Sequence, residues 1–355
     1  MSARADDRSN PTQAAEGRED SGRPARPRVA FIGTGGTIAS VGRGPLDIQD
    51  YAARGLMLQA DELLARFPEV QEVADVTPVR FRAVPSTQMG WPEWKELLQI
   101  CDRLVAEDPA LAGIVIGHGT ASLEETAYFL SLTLKVPVPV VLVGAQRPAS
   151  ALSTDAGMNI VNAVRVAASR EARGLGALAL LNDEIQAARE VTKTSTGRLQ
   201  TFRSPDFGCL GHADGDRLAW YRRPLRRTAP DTEFDVRGLD ALPRVDISYC
   251  YAGADGTAVR AFVAAGARGI VSAGFAPGFA TPAEADALKQ AAASGVVVVQ
   301  STRAGSGRTF PTTRVLQAGF LPADNLTPQK ARILLSLALT VTQDPREIAR
   351  IFAEY

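Results

Sequence analysis

The sequence predicts an α/β protein: a large N-terminal parallel-sheet domain followed by a smaller C-terminal αβα domain. Three observations predict it. Short apolar, β-branched runs alternate with amphipathic helical segments along most of the 355 residues, the pattern of a parallel sheet covered on both faces. Two of those runs break straight into glycine-rich turns that present a threonine and then enter a helix. The stretch Asp206 to Asp240 is rich in Arg, Pro, Gly and Asp and separates a first αβ series from a second.

The elements follow in order. Arg28 to Ile32 reads as a buried strand and Pro78 to Val84 as an alternating one. Trp91 to Glu107 carries helical periodicity, with Trp94, Leu97, Leu98, Cys101, Leu104 and Val105 on one face. Ala112 to Ile116 is a strand, Ser122 to Leu134 a helix, Val138 to Val143 a strand, Thr154 to Ser169 a helix and Ala177 to Leu181 a strand. A hairpin is expected around Arg217 to Tyr221. The second series runs strand Val245 to Tyr251, helix Gly256 to Ala265, strand Gly269 to Ser272, helix Pro282 to Ser294 and strand Val296 to Gln300. It closes with helices at Thr327 to Thr342 and Pro345 to Phe352. The predicted organisation is a disordered tail over 1–27, an N-terminal domain over 28–222, a linker over 223–242 and a C-terminal domain over 243–355.

Bulk properties narrow the function. Lys+Arg and Asp+Glu both total 39, and a zero net charge argues against nucleic acid or an anionic membrane as the main partner. No apolar run is long enough to span a bilayer. Residues 1–27 are polar and lack the apolar stretch of a signal peptide. Cys101, Cys209 and Cys250 are odd in number and unclustered, which fits a reducing cytoplasm without a disulfide framework. With only His118 and His212 and no cysteine cluster, the composition argues against a zinc site, and no cofactor is expected.

The chemistry sits in the two turns. Thr34 lies in Gly33-Thr34-Gly35-Gly36-Thr37, where glycines let the backbone approach a ligand closely. Amide N–H groups at a helix entry favour negative charge, whether a phosphate or a tetrahedral oxyanion. Taken alone, this motif is as compatible with a phosphate loop as with catalysis. Thr120 lies in Gly117-His118-Gly119-Thr120 and follows the same logic. His118 reads better as a histidine fixed by backbone hydrogen bonds than as a general base, because no Asp is placed to orient it. Glu124 and Glu125 open the following helix, where carboxylates complement its N-terminal dipole.

Together with further segments, these turns resemble the bacterial asparaginase/glutaminase family from Arg28 to Phe352. The resemblance rests on Gly33-Thr34-Gly35-Gly36-Thr37-Ile38-Ala39, Pro85-Ser86-Thr87-Gln88-Met89, His118-Gly119-Thr120 with Glu124-Glu125-Thr126-Ala127, and Val143-Gly144-Ala145-Gln146-Arg147-Pro148 with Asp155. It extends to Val191-Thr192-Lys193-Thr194, Gly269-Ile270-Val271-Ser272-Ala273-Gly274 and Pro328-Gln329-Lys330-Ala331-Arg332. It implies an asparaginase-like fold and a metal-free amidohydrolase in which a threonine attacks a carboxamide, ammonia leaves and water resolves an acyl-enzyme. By the resemblance, Thr34 is the nucleophile and Tyr51, on a loop after the first strand, helps activate it. Ser86 binds the substrate carboxylate, Gly33, Thr87, Gly119, Ala121 and Arg314 stand at substrate-binding positions, and Thr120 holds or activates the water or the nucleophile. It also implies a homotetramer of intimate dimers, or a homodimer, with sites shared between one subunit's N-domain and its neighbour's C-domain.

The chain departs from the family where that family binds an α-ammonium. The aspartate after the second threonine is Ala121, and the lysine of the Thr-Lys-Asp triad aligns with Arg170, which cannot deprotonate near neutrality. An asparagine after Tyr-x-Tyr-Ala is replaced by Gly253, and a glutamate falls at Arg314 by an ungapped count. An ammonium there lacks its acceptors, whereas Arg314 suits a carboxylate. The expected activity is therefore hydrolysis of a linear or cyclic amide other than free L-asparagine. Two alternatives stay open: an L-asparaginase with rewired amino-group recognition, and a non-catalytic ligand-binding protein on this fold.

Overall fold

A computed structural model describes residues 25–355; most of the expected N-terminal tail, 1–27, lies outside the described residues. Ten helices and fourteen strands are defined among the described residues. The large sheet is formed by β1 (Arg28–Gly33), β2 (Asp75–Arg80), β3 (Leu111–Gly117), β4 (Val140–Val143), β5 (Ala177–Leu181) and β6 (Glu184–Ala187). A small ribbon, β7 (Thr192–Lys193) and β8 (Phe202–Arg203), follows. The hairpin β9 (Gly211–Ala213) and β10 (Leu218–Trp220) then rejoins the large sheet. A separate, smaller parallel sheet holds β11 (Val245–Tyr249), β12 (Gly269–Gly274), β13 (Val297–Thr302) and β14 (Leu321–Pro322).

The strand order of the large sheet is β10-β9-β6-β5-β4-β3-β1-β2. Strands β2 through β5 run parallel, while β6, β9 and β10 add antiparallel. The sheet is thus parallel-dominated rather than wholly parallel. β2 also begins three residues earlier than the alternation predicts. Its partner sets the register: Arg28 pairs Asp75 and Gly33 pairs Arg80, after which the chain turns so that Val84 N–H reaches the Thr34 carbonyl at 3.0 Å.

The helices are α1 (Ala60–Arg66), α2 (Val70–Val73), α3 (Trp91–Glu107), α4 (Leu123–Thr133), α5 (Ala156–Ala168), α6 (Thr257–Ala264), α7 (Pro282–Ala293), α8 (Thr313–Gln317), α9 (Pro328–Val341) and α10 (Pro345–Glu354). Period-two alternation splits β1 and β3 between two cores. Ile32, Ile114 and Ile116 join Trp94, Leu97 and Phe129 of α3 and α4 on one face. Phe31 and Val115 join Ile160 and Val164 of α5 on the other. α9 packs against both α4 and the small sheet, so Leu334 and Leu337 share one continuous core with Phe129 and Val271. No helix among the described residues is long and apolar enough to cross a membrane.

Candidate active site

β1 and β3 are adjacent parallel strands, so their C-terminal ends deliver both glycine-rich turns to one edge of the sheet, where ligands bind in open α/β folds. The turns meet glycine to glycine. Gly36 has φ of 82°, and a Cβ built on it would lie 2.1 Å from Gly119 Cα. Gly119 in turn lies against Ser86, whose Oγ would be 2.7 Å from a Cβ there. No side chain fits at either position, which explains glycine at both. Gly33 ends β1 against Ala60 of α1.

Thr34 turns its side chain to the neighbouring strand end. It is 1% exposed, and both its N–H and its Oγ1 donate to the Gly117 carbonyl at 2.9 Å. Its hydroxyl fastens the first turn to the second and is already engaged in the position expected of a nucleophile. Thr37, three residues on, opens the 3-10 turn Thr37–Ala39. Ile38 and Ala39 are buried behind it, and Thr37 itself is half-buried. Its Oγ1 lies 2.9 Å from the Tyr51 hydroxyl, and either can donate. Tyr51 sits in the turn Tyr51–Arg54, and Arg54 ties this loop down by donating to Gly42 O at 2.9 Å.

The second turn is held from below. His118 N–H donates to Val143 O at 2.8 Å. The ring is fully buried in a chain of bonds: Trp94 Nε1–H donates to Thr126 Oγ1 at 2.9 Å, Thr126 Oγ1 is 3.0 Å from His118 Nε2, and His118 Nδ1 is 2.8 Å from Gly119 O. This order needs the Nδ1–H tautomer, with every group satisfied. Burial pushes the His118 pKa down to about 4, opposed by the bond to Gly119, so His118 is a neutral strut. Its proton binds the unfolded chain near 6.5 but the folded chain only near 4. Stability is therefore intact above 6.5 and falls by about 3 kcal/mol as the pH drops to 4. Denaturant melts of the wild type and His118→Gln at pH 7 and pH 4 check this: the difference between them should shift by that amount.

Thr120 is buried beside Gly144, and its Oγ1 accepts from Lys193 Nζ at 2.8 Å. The basic residue set against Thr120 is Lys193 rather than Arg170. Arg170 is exposed in a turn after α5. Asn159, near the start of α5, donates to Gly144 O at 3.0 Å, which places that end of the helix beside the site. Arg170 lies eleven residues further on, about 16 Å along the axis. Lys193 stands on β7, which pairs with β8, and its side chain reaches Thr120 from that ribbon. Burial lowers its pKa from the ordinary lysine range, with Glu124 acting in the opposite direction. The sequence signal was present, since Lys193 stands in a segment that resembles the family.

Ser86 is buried in the turn Ser86–Gln88, and its carbonyl accepts from Ser122 Oγ at 2.6 Å. Thr87 beside it is exposed. Ala121, next to Thr120, is also exposed and offers no polar group to the site. Gly253 has φ of 88° with open space where a side chain would stand. Arg314 is exposed on α8, its guanidinium 5.9 Å from the centre of the Phe279 ring, at a pocket shared with Ser272 and Gln300. Thus the chain gathers Thr37, Tyr51, Ser86, Gly119, Thr120 and Lys193 around the paired turns. Gly253 and Arg314 lie on the C-terminal domain.

Comparison with known proteins agrees with this architecture. Residues 28–226 match the family model "Asparaginase, N-terminal", and residues 244–352 match "Glutaminase/Asparaginase C-terminal domain". The chain is 40% identical over 331 residues to "Probable L-asparaginase periplasmic" of Haemophilus influenzae, covering 93% of each chain. It is 37% identical over 348 residues to "Glutaminase-asparaginase" of Pseudomonas fluorescens biotype A, covering 96% of this chain and 94% of the other. The crystal structure of a "Probable Cytoplasmic L-asparaginase" from Campylobacter jejuni superposes with a TM-score of 0.88 at 38% identity, covering 93% of this chain and 100% of that one. Fold and matched domains together define an amidohydrolase of two α/β domains. The chain belongs to the asparaginase family.

Proposed function

We propose that this protein hydrolyses a small carboxamide through an acyl-enzyme on Thr37, and that its substrate carries no free α-ammonium. The observation that supports the nucleophile is the 2.9 Å contact between Thr37 Oγ1 and the Tyr51 hydroxyl, set against a Thr34 hydroxyl already bonded to Gly117 O. Thr37 Oγ1 attacks the amide carbon, and its proton passes through the Tyr51 hydroxyl. The C–N bond breaks as the nitrogen takes a proton, and ammonia leaves. Water then attacks the Thr37 ester, its proton accepted through Thr120 and the Lys193 amine 2.8 Å away. The carboxylic acid departs and Thr37 regains its proton. Ser86, beside Gly119, is the group assigned to the substrate carboxylate.

Ala121 supports the substrate reading. An ammonium bound next to Thr120 would find a methyl group in place of an anion, and its desolvation would go uncompensated. Gly253 and Arg314 extend the argument if a second subunit's C-terminal domain completes the site, as a homodimer or homotetramer would arrange. Arg314 would then meet an acidic or acyl group. The names of the relatives favour a second reading, an L-asparaginase or glutaminase-asparaginase with rewired amino-group recognition. Ammonia release from L-asparagine, L-glutamine, succinamate and N-acetyl-L-asparagine separates the two. We expect turnover of the last pair and at least about 100-fold weaker kcat/KM on the first. The reverse preference would select the second reading. The three unpaired cysteines support a cytoplasmic location.

A further inference from the structure

Only five of the 39 basic residues are lysines, and two of those five meet at one carboxylate. Glu124, in the first turn of α4, is buried. Its Oε1 accepts from the Lys193 backbone N–H at 3.3 Å. Its Oε2 has no hydrogen-bond partner and lies 3.9 Å from Lys330 Nζ. Lys330 comes from α9, in the C-terminal half of the chain, and is 1% exposed. Its ammonium donates to Arg189 O at 3.1 Å and to Val191 O, so it grips the segment that leads into Lys193. The other groups facing Lys330 are Glu125 on α4, Arg189 and Glu190 on that segment, and the Tyr128 ring at 6.0 Å; Arg332 faces Glu125. Glu124 is the charged group that faces Lys193.

We propose that Lys330 is a positioning residue for the amide-hydrolysis site: it anchors the 189–193 segment and shares the Glu124 carboxylate with it, and so sets where Lys193 Nζ meets the Thr120 hydroxyl and how readily that nitrogen gives up its proton. The inference rests on the pairing of Lys193 with Thr120 assigned above. Lys330 is wholly buried and Lys193 half-buried, and Glu124 acts on both, with Glu190 and Glu125 acting further on Lys330, so the protonation of each lysine depends on how that carboxylate is shared. Burial pushes Lys330 down to about 8, opposed by Glu124, and it also lowers Lys193. An arginine in either place could not respond in this way. Lys330 thereby links the C-terminal domain to the protonation of a group in the N-terminal site.

Competitive labelling with trace acetic anhydride between pH 6 and 11, read by peptide mass spectrometry, gives the midpoint of Lys193 in the resting protein. Lys330→Met frees Glu124 to act on Lys193 alone and removes a nearby cation, so the midpoint should rise by about one pH unit. Glu124→Gln removes the anion, so it should fall by about one unit. The acid limb of the kcat profile on the best amide should move with each midpoint while KM stays constant. An ion pair that only staples α9 to α4 would move neither midpoint. Unmoved midpoints, or shifts in one direction, would overturn the proposal. If circular dichroism shows Lys330→Met unfolded, the sign for Glu124→Gln decides alone: a fall supports the proposal, and no change or a rise overturns it. Full activity in Thr37→Ala would sink the nucleophile assignment without touching this labelling result.

Discussion

Replacing Thr37 by alanine is expected to lower kcat by at least about 10³-fold while leaving the fold intact, because it removes the attacking atom and nothing that packs. Thr37 is half-buried at the lip of the turn, and its hydroxyl bonds to Tyr51 alone among the described hydrogen bonds. Because the Thr34 hydroxyl is already bonded to Gly117 O, a contrasting result is expected for Thr34→Val. Valine keeps the shape and loses one buried hydrogen bond. Gly117 O still accepts the backbone N–H of residue 34, so no acceptor is orphaned. The cost should be about 1 kcal/mol of stability, with kcat kept within about tenfold. Steady-state ammonia release and denaturant melts on both variants make the comparison. Equal losses in the two would show that the turn, rather than a particular hydroxyl, carries the activity.

Ala121→Asp is expected to shift preference toward substrates with an α-ammonium, by about 100-fold in kcat/KM for L-asparagine relative to succinamate. A carboxylate at residue 121, adjacent to Thr120, supplies the charge-assisted acceptor that the methyl group lacks. The same carboxylate repels an acidic or acyl substituent, so selectivity changes through attraction and repulsion together. A variant with unchanged preference would place amino-group recognition elsewhere, Gly253 and Arg314 being the remaining positions to test.

Much of the fold was legible in the sequence, because long elements declare their period. Trp91–Glu107 and Pro282–Ala293 stand where periodicity put them, and the hairpin near Arg217 is β9–β10. Short buried strands such as Ala177–Leu181 were legible from their unbroken apolar runs, but other short elements were not. α1, α2, β6 and α8 have seven residues or fewer, too few to establish a pattern, and β2 takes its register from β1 rather than from its own alternation. At the site, glycines on both sides made Thr34 look exposed, yet the first residue after a strand still bonds to the neighbouring strand end. Thr37 could be separated from Thr34 only by seeing which hydroxyl was already bonded. Lys193 escaped for a different reason. It approaches Thr120 across 73 residues of chain, on a two-residue strand whose placement depends on its ribbon partner and on Lys330, and no local spacing encodes such a contact. Arg170 attracted the assignment because a basic residue ended a helix that begins beside the site, and a helix carries its two ends far apart.

The most direct test is to acid-quench the protein during steady-state turnover of succinamate or N-acetyl-L-asparagine and map the peptides by mass spectrometry. The account predicts a hydrolysable acyl adduct on the peptide bearing Thr37, localised to that residue by fragmentation and absent from Thr37→Ala. An adduct on Thr34 or Thr120, or rapid turnover in Thr37→Ala, would contradict it.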